Sequence, residues 1–231
     1  MRYLVVGGNS GIGLTLLNML QEQGHEVVAL SRNSDNCPTG DLITHYQCDI
    51  ESDAPSFPEI SHPLDGLVYL PGTVNLKSLS QLKITDYLRD FHINFLGGVK
   101  TIKHYLPNLS NGTSSSIVLM SSVAARKGFP FHCSVGAAKG AIIGFTHSLA
   151  SELAPKMRVN AIAPSLTDTP LTHSLLDSEE KKAGSGKRHP LSRVGKPEDI
   201  ASMIAFLLSD NASWITGQIF GIDGGISTLA L

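Results

Sequence analysis

The sequence predicts a three-layer α/β/α fold, in which helices cover both faces of one doubly wound parallel sheet. Three observations carry that expectation. Short apolar runs alternate with longer amphipathic segments along the chain, a glycine-rich turn follows the first apolar run, and no linker, repeat or low-complexity tract divides residues 1–231. Strands buried on both faces read as continuous apolar runs, and the helices between them return the chain to the same edge.

Tyr3–Val6 is the first strand, and a helix follows from about Gly11 to Gln23, stopped by Gly24. Glu26–Leu30 is the second strand, and Leu67–Leu70, Ile117–Met120, Arg158–Ala163 and Gln218–Ile222 supply further ones. Helices fit about Ile84–Tyr105, Ser134–Leu153 and Pro197–Leu208. Two stretches lack such a pattern. Glu51–Pro63 holds three prolines and reads as a tight connection with at most a short helical turn. Ser165–Lys196 is polar, contains Ser178-Glu179-Glu180-Lys181-Lys182 and Gly184-Ser185-Gly186, and suits a mobile lid beside a pocket.

Bulk properties narrow the function classes. A chain of 231 residues suits one large α/β domain, and 42% hydrophobic against 16% charged residues can bury a core. A net charge of −2 without a long basic run gives no footprint for nucleic acid. Cys37, Cys48 and Cys133 have neither CxxC nor metal-ligand spacing, so they read as reduced thiols of an intracellular protein without a metal site. The chain starts straight into its first strand without a signal-peptide pattern, and no run of 18 apolar residues offers a membrane span. The expectation is a soluble, cytoplasmic protein.

Gly7-Gly8-Asn9-Ser10-Gly11-Ile12-Gly13 lies between the first strand and the first helix. Glycines there allow a sharp turn and a close backbone approach to a diphosphate, and the helix start adds free N–H donors. The spacing differs by one residue from GxGxxG, but strand, turn and helix stand in the confirming order. The turn, with Asn9, Ser10 and Ile12 between its glycines, is expected to hold a dinucleotide. An acidic residue at the end of the second strand would take the ribose hydroxyls of NAD; here Ser31 and Arg32 stand there. A guanidinium fits a phosphate with two parallel hydrogen bonds, so Arg32 favours NADP(H) over NAD(H), unless it is a solvated surface arginine. Asp49 accepts from an adenine amino group or caps the turn after it.

With those residues in place the chain resembles the short-chain dehydrogenase/reductase family over its full length. The Gly7, Gly11, Gly13 turn resembles that family's TGxxxGxG, with Val6 for threonine, and Asp49 with Ile50 fits its adenine-binding position. Asn94 in His92-Ile93-Asn94-Phe95 fits the asparagine of its long helix, Ser122 its catalytic serine and Lys139 its catalytic lysine. Asn160-Ala161-Ile162-Ala163-Pro164-Ser165 resembles the NxxxPG segment over the nicotinamide, with Ser165 for glycine and Thr169 at the usual threonine. Gly217-Gln218 and Asp223-Gly224-Gly225 match the closing strand. The resemblance implies a Rossmann-type fold, a nicotinamide cofactor, a small carbonyl or alcohol substrate, and a homodimer or homotetramer through the long helices and the apolar tail Ile226–Leu231.

The departures matter as much. Tyr69-Leu70-Pro71-Gly72 replaces the family's NNAG and keeps only the glycine, Gly72, and the stretch from Asp49 to Asp65 is short. The family's catalytic tyrosine, four residues before the lysine, is Val135 here, and the spacing from Ser122 is the usual thirteen. Valine has no proton to give. The resemblance assigns the tyrosine the proton of the reacting oxygen, the lysine the lowering of the phenol's pKa, the serine a hydrogen bond to the carbonyl, and the asparagine a water relay. A positioned general acid contributes ~10²–10⁴ in rate. Three side chains offer a replacement: His132, three residues before Val135, ranks first, and Lys139, directly or through water, and Tyr69 are the others; the alternatives are that His132 shapes its loop, Lys139 holds the cofactor ribose and Tyr69 packs beside it. The competing readings are an oxidoreductase with a surrogate donor, a cofactor-binding sensor or partner subunit without turnover, and hydride transfer to an activated C=N or C=C bond.

Overall fold

The computed structural model describes residues 1–38, 40–112 and 114–230; Leu231, the last residue of the apolar tail, lies outside them. Strands β1 (Arg2–Val6), β2 (Glu26–Ser31), β3 (Ile43–Gln47), β4 (Gly66–Tyr69), β5 (Ser115–Met120), β6 (Met157–Pro164) and β7 (Ile219–Ile222) form one sheet in the order β3-β2-β1-β4-β5-β6-β7. Every pairing is parallel. The strand order reverses between β1 and β4, which opens a crevice beyond their carboxyl ends, where ligands of open α/β sheets bind.

Alternation along the strands builds two cores. Leu4, Val6, Leu30, Leu67, Tyr69, Ile117 and Leu119 face α3 (Gly97–Ser110) and α4 (Cys133–Leu153), meeting Ile102, Tyr105 and Ile142. Tyr3, Val5, Val27, Ala29, Val68 and Val118 face α1 (Gly11–Glu22) and α6 (Pro197–Leu208), meeting Leu16, Leu20, Ile200 and Ile204. Successive side chains of a strand point to opposite faces, so both must be apolar when helices cover both. The three-layer α/β/α, Rossmann-type architecture is therefore as expected.

Four details differ from the sequence reading. The apolar runs omit β3, an edge strand whose Thr44, Tyr46 and Gln47 are exposed. Leu70 lies beyond β4 rather than in it. The long helix is α2 (Ile84–Phe91), a single π turn (His92–Leu96) and α3. The polar stretch after β6 carries a 3-10 turn (Pro170–Leu175) and α5 (Glu179–Gly186), anchored by buried Leu176 and His189. Glu51–Pro63 is irregular throughout. Among the described residues no helix is long and apolar enough to cross a membrane.

Candidate active site

One cavity of about 1220 Å³ runs along the crevice, from the glycine turn past the ends of β2, β4, β5 and β6. That exceeds the ~300–1,000 Å³ typical of a drug-sized ligand, leaving room for a dinucleotide beside a substrate. Gly7, Asn9, Ser10, Gly11, Ile12 and Gly13 line its start. Gly7 and Gly11 have φ of +85° and +50°, conformations that L side chains rarely adopt. A Cβ on Gly13 would lie 2.0 Å from the Gly7 carbonyl oxygen, so turn and helix close on each other only without a side chain. Ser10 caps α1 with extended backbone and makes no side-chain capping bond, so its hydroxyl leaves the first N–H groups of α1 to a ligand. Asn9 Nδ2 donates to the Asn33 carbonyl (3.2 Å), tying the turn to the end of β2.

Ser31, Arg32, Asp49 and Ile50 line the next section. The Ser31 hydroxyl donates to the Asn33 carbonyl (2.6 Å) and lies 2.7 Å from His45 Nε2, so it is occupied within the protein. Arg32 is exposed and has no ion-pair partner among the described residues. Asp49 Oδ1 accepts from the Glu51 N–H (3.0 Å), the turn-capping alternative, while the side chain stays on the cavity wall.

The far section collects the other candidates. Lys139 is buried on α4, and its Nζ donates to the Met120 carbonyl at the end of β5 (2.8 Å). Burial lowers its pKa to about 8, opposed by the charge of Asp90. Asn94 sits in the π turn, fully buried behind Gly72 and Thr73. Its Nδ2 donates to Thr73 Oγ1 and to the Asp90 carbonyl (2.7 Å each), and its Oδ1 accepts from the Thr73 N–H (3.2 Å). A Cβ on Gly72 would stand 3.1 Å from Asn94 Oδ1 and 3.4 Å from Lys139 Nζ, so this glycine is where the two side chains converge. Ser122 opens a 3-10 turn, its Oγ accepting from the Ala124 N–H (3.1 Å). Pro164 ends β6, and Thr169 lies across the cavity from the turn: a Cβ on Gly11 would be 3.1 Å from Thr169 Cβ.

Where the resemblance leads one to expect a tyrosine, Val135 is buried on the cavity wall, and His132, three residues before it, lines the same cavity half-buried. The His132 Nδ1 lies 2.7 Å from the Pro130 carbonyl, which only accepts, so Nδ1 carries its proton. Tyr69 is not in the cavity. Its side chain faces α3, and its buried hydroxyl donates to the Ile93 carbonyl (2.6 Å), which corrects its place among the candidate donors. Strand alternation is the reason: Tyr69 shares a face with Leu67, away from the crevice.

Three participants carry no motif. Asp90, buried one turn before Asn94, accepts from Thr73 Oγ1 (2.6 Å) through Oδ1, and its Oδ2 has no partner among the described residues. Thr73 joins the cavity wall to this carboxylate. His189, from the polar stretch, bonds Ser165. An acid one turn before Asn94 is the single sequence signal that points to any of them.

A family model described as enoyl-(acyl carrier protein) reductase matches residues 6–227. The chain belongs to the short-chain dehydrogenase/reductase family of oxidoreductases. It is 31% identical to 3-oxoacyl-[acyl-carrier-protein] reductase FabG of Thermotoga maritima over 96% of both chains. Carbonyl reductase family member 4 of Danio rerio is 32% identical over 98% of each. The solved structure of ElxO with NADP bound superposes with a TM-score of 0.85 at 26% identity, covering 99% of both chains.

Proposed function

We propose that this protein is an NADP(H)-dependent oxidoreductase acting on a small carbonyl or alcohol. One observation carries the reading: Lys139 and Asn94 converge on Gly72, and Ser122 lines the same cavity, which begins at a glycine turn too tight for side chains. The turn fits a dinucleotide by that steric test. Gly7–Gly13 would hold the diphosphate, Arg32 the 2′-phosphate, Asp49 and Ile50 the adenine, Lys139 the nicotinamide ribose, and Gly72, Pro164 and Thr169 the nicotinamide end. When bound, the nicotinamide supplies or accepts hydride at C4.

The protein's own groups position the other reactant. Ser122 donates its hydroxyl to the carbonyl oxygen, and water held near Asn94 and Lys139 connects that oxygen to the interior. Val135 supplies shape only, so a proton must come from elsewhere on the wall, and His132 is the donor nearest in sequence. ElxO, a neighbour at 26% identity, was solved with NADP, which supports the cofactor class, and the two reductase relatives support the reaction class. A homodimer or homotetramer in the cytoplasm completes the reading.

The test is fluorescence titration with NADPH and NADH, then NADPH oxidation with 3-oxoacyl thioesters and simple ketones. NADPH binding with turnover is the expected result. NADPH binding with no turnover, rescued by Val135→Tyr, would favour a non-catalytic cofactor-binding protein, and failure to bind either nucleotide would overturn both readings.

A further inference from the structure

The cavity wall also carries a hydroxyl–imidazole pair where β6 ends. Ser165 follows Pro164 at the end of β6, and its Oγ lies 2.8 Å from Nε2 of His189. His189 is only 2% exposed, and its Nδ1 is 2.9 Å from the Ser185 carbonyl. A carbonyl only accepts, so Nδ1 carries a proton and Nε2 of the neutral ring accepts from the Ser165 hydroxyl. The main chain thereby fixes the tautomer and aims the imidazole through Ser165 at the cavity, which both residues line.

The register brings this pair to Ser122. Met120 of β5 pairs with Ile162 of β6, and the Ser121 N–H donates to the Ile162 carbonyl (2.7 Å). Ser122 and Ser165 therefore leave adjacent strand ends, which lie ~4.8 Å apart in a sheet. His132, by contrast, has no hydroxyl bonded to its ring among the described residues and stands half-buried before α4. Charged groups also surround His189: Arg188 beside it, and the Arg193–Asp199 ion pair and Asp223 across the small second cavity.

Resting on the oxidoreductase reading above, we propose that Ser165 is the catalytic proton donor of this site and that His189 is the positioning residue that recharges it. As hydride bonds to the carbonyl carbon, the C=O π pair moves to oxygen. That oxygen takes the Ser165 hydroxyl proton, Ser165 takes the Nε2 proton of the His189 imidazolium, and water in the cavity reprotonates His189 between turnovers. In alcohol oxidation neutral His189 draws the same protons the other way.

The experiment combines binding, rate and spectroscopy. Ser165→Ala and His189→Gln are expected to bind NADPH as the wild type does and to lose ~10²–10⁴ in kcat. The double variant loses no more than either alone, because the two act as one unit. In the nucleotide-free protein, long-range ¹H–¹⁵N spectra show His189 protonated at Nδ1, with an Nε2 shift that Ser165→Ala displaces. Ser165→Gly stands in if the His189 variant misfolds. Wild-type kcat in Ser165→Ala, loss carried by His132→Ala instead, or an Nε2–H tautomer overturns the proposal while the oxidoreductase reading stands. NADPH binding without any turnover by the wild type overturns both.

Discussion

At Gly13 a single methyl group decides whether the nucleotide turn can form. A Cβ there would lie 2.0 Å from the Gly7 oxygen and 3.0 Å from the Gly8 Cα, both backbone atoms that cannot swing aside. Gly13→Ala must spread the turn, and overpacking of this kind costs ~1–3 kcal/mol. The expected outcome is a lower Tm together with loss of NADPH binding in a fluorescence titration. Arg32 sets a different balance. A charge-assisted hydrogen bond contributes ~1.5–3 kcal/mol, so Arg32→Ala should weaken NADPH roughly 10- to 100-fold and leave NADH unchanged; equal weakening of both would remove Arg32 from the 2′-phosphate. Lys139 gives the pH dependence. Its ammonium, with a pKa lowered to about 8 by burial, is present below that pH and lost above it. Asp90 raises that pKa, so Asp90→Asn moves the loss to lower pH, and NADPH affinity measured from pH 6 to 10 should fall earlier in the variant. The glycines were legible because their spacing mirrors the backbone geometry of the turn; Asn94, Ser122 and Lys139 were expected only from the family resemblance, and the fold brings Asn94 and Lys139 together at Gly72 and puts Ser122 on the cavity wall. Ser165 with His189 was not legible: the partners stand 24 residues apart, and the second lies in a stretch whose polar composition conceals buried groups.

Among the elements, the helix that carries Asn94 shows how a local irregularity shapes a site. The π turn His92–Leu96 interrupts what the sequence reads as one helix, and such turns often mark functional positions. Asn94 fills it with three hydrogen bonds, and Gly97, just beyond, lets α3 settle onto Tyr69. A Cβ on Gly97 would meet the Tyr69 hydroxyl at 2.2 Å and Ile50 Cγ2 at 2.3 Å. Gly97→Ala should therefore destabilise the protein by ~1–3 kcal/mol, read as a shifted urea midpoint with an unchanged m-value. The apolar periodicity made the helix visible but not its π turn, because inserting one residue in a turn leaves the composition unchanged. For β3 the difficulty was the reverse: an edge strand with polar Thr44, His45 and Gln47 offers no apolar run to find. Tyr69 was misplaced by one step of alternation, since its chain position at the crevice says nothing about which face its ring takes.

For the whole molecule, the doubly wound sheet expected from βα alternation implies a reversal of strand order somewhere, and the structure puts it between β1 and β4. Assembly is a separate matter, because it depends on which apolar groups the finished fold leaves outside. Ile84, Leu88 and Phe91 recur at helical spacing along α2 and remain 75%, 65% and 38% exposed. One apolar stripe on an otherwise polar helix marks a contact face rather than scattered exposure. Of the tail's described residues, Ile226 packs into its own chain and lines the cavity, while Leu229 is exposed. If α2 joins two copies, Leu88→Glu places a charge at the centre of that contact, at a residue that does not line the cavity. Sedimentation velocity should give the wild type a mass of two or four times the 24.6 kDa chain, and the variant a concentration-dependent fall towards one. A wild type at the mass of one chain, or an unchanged assembly in the variant, would exclude α2 as the joining face.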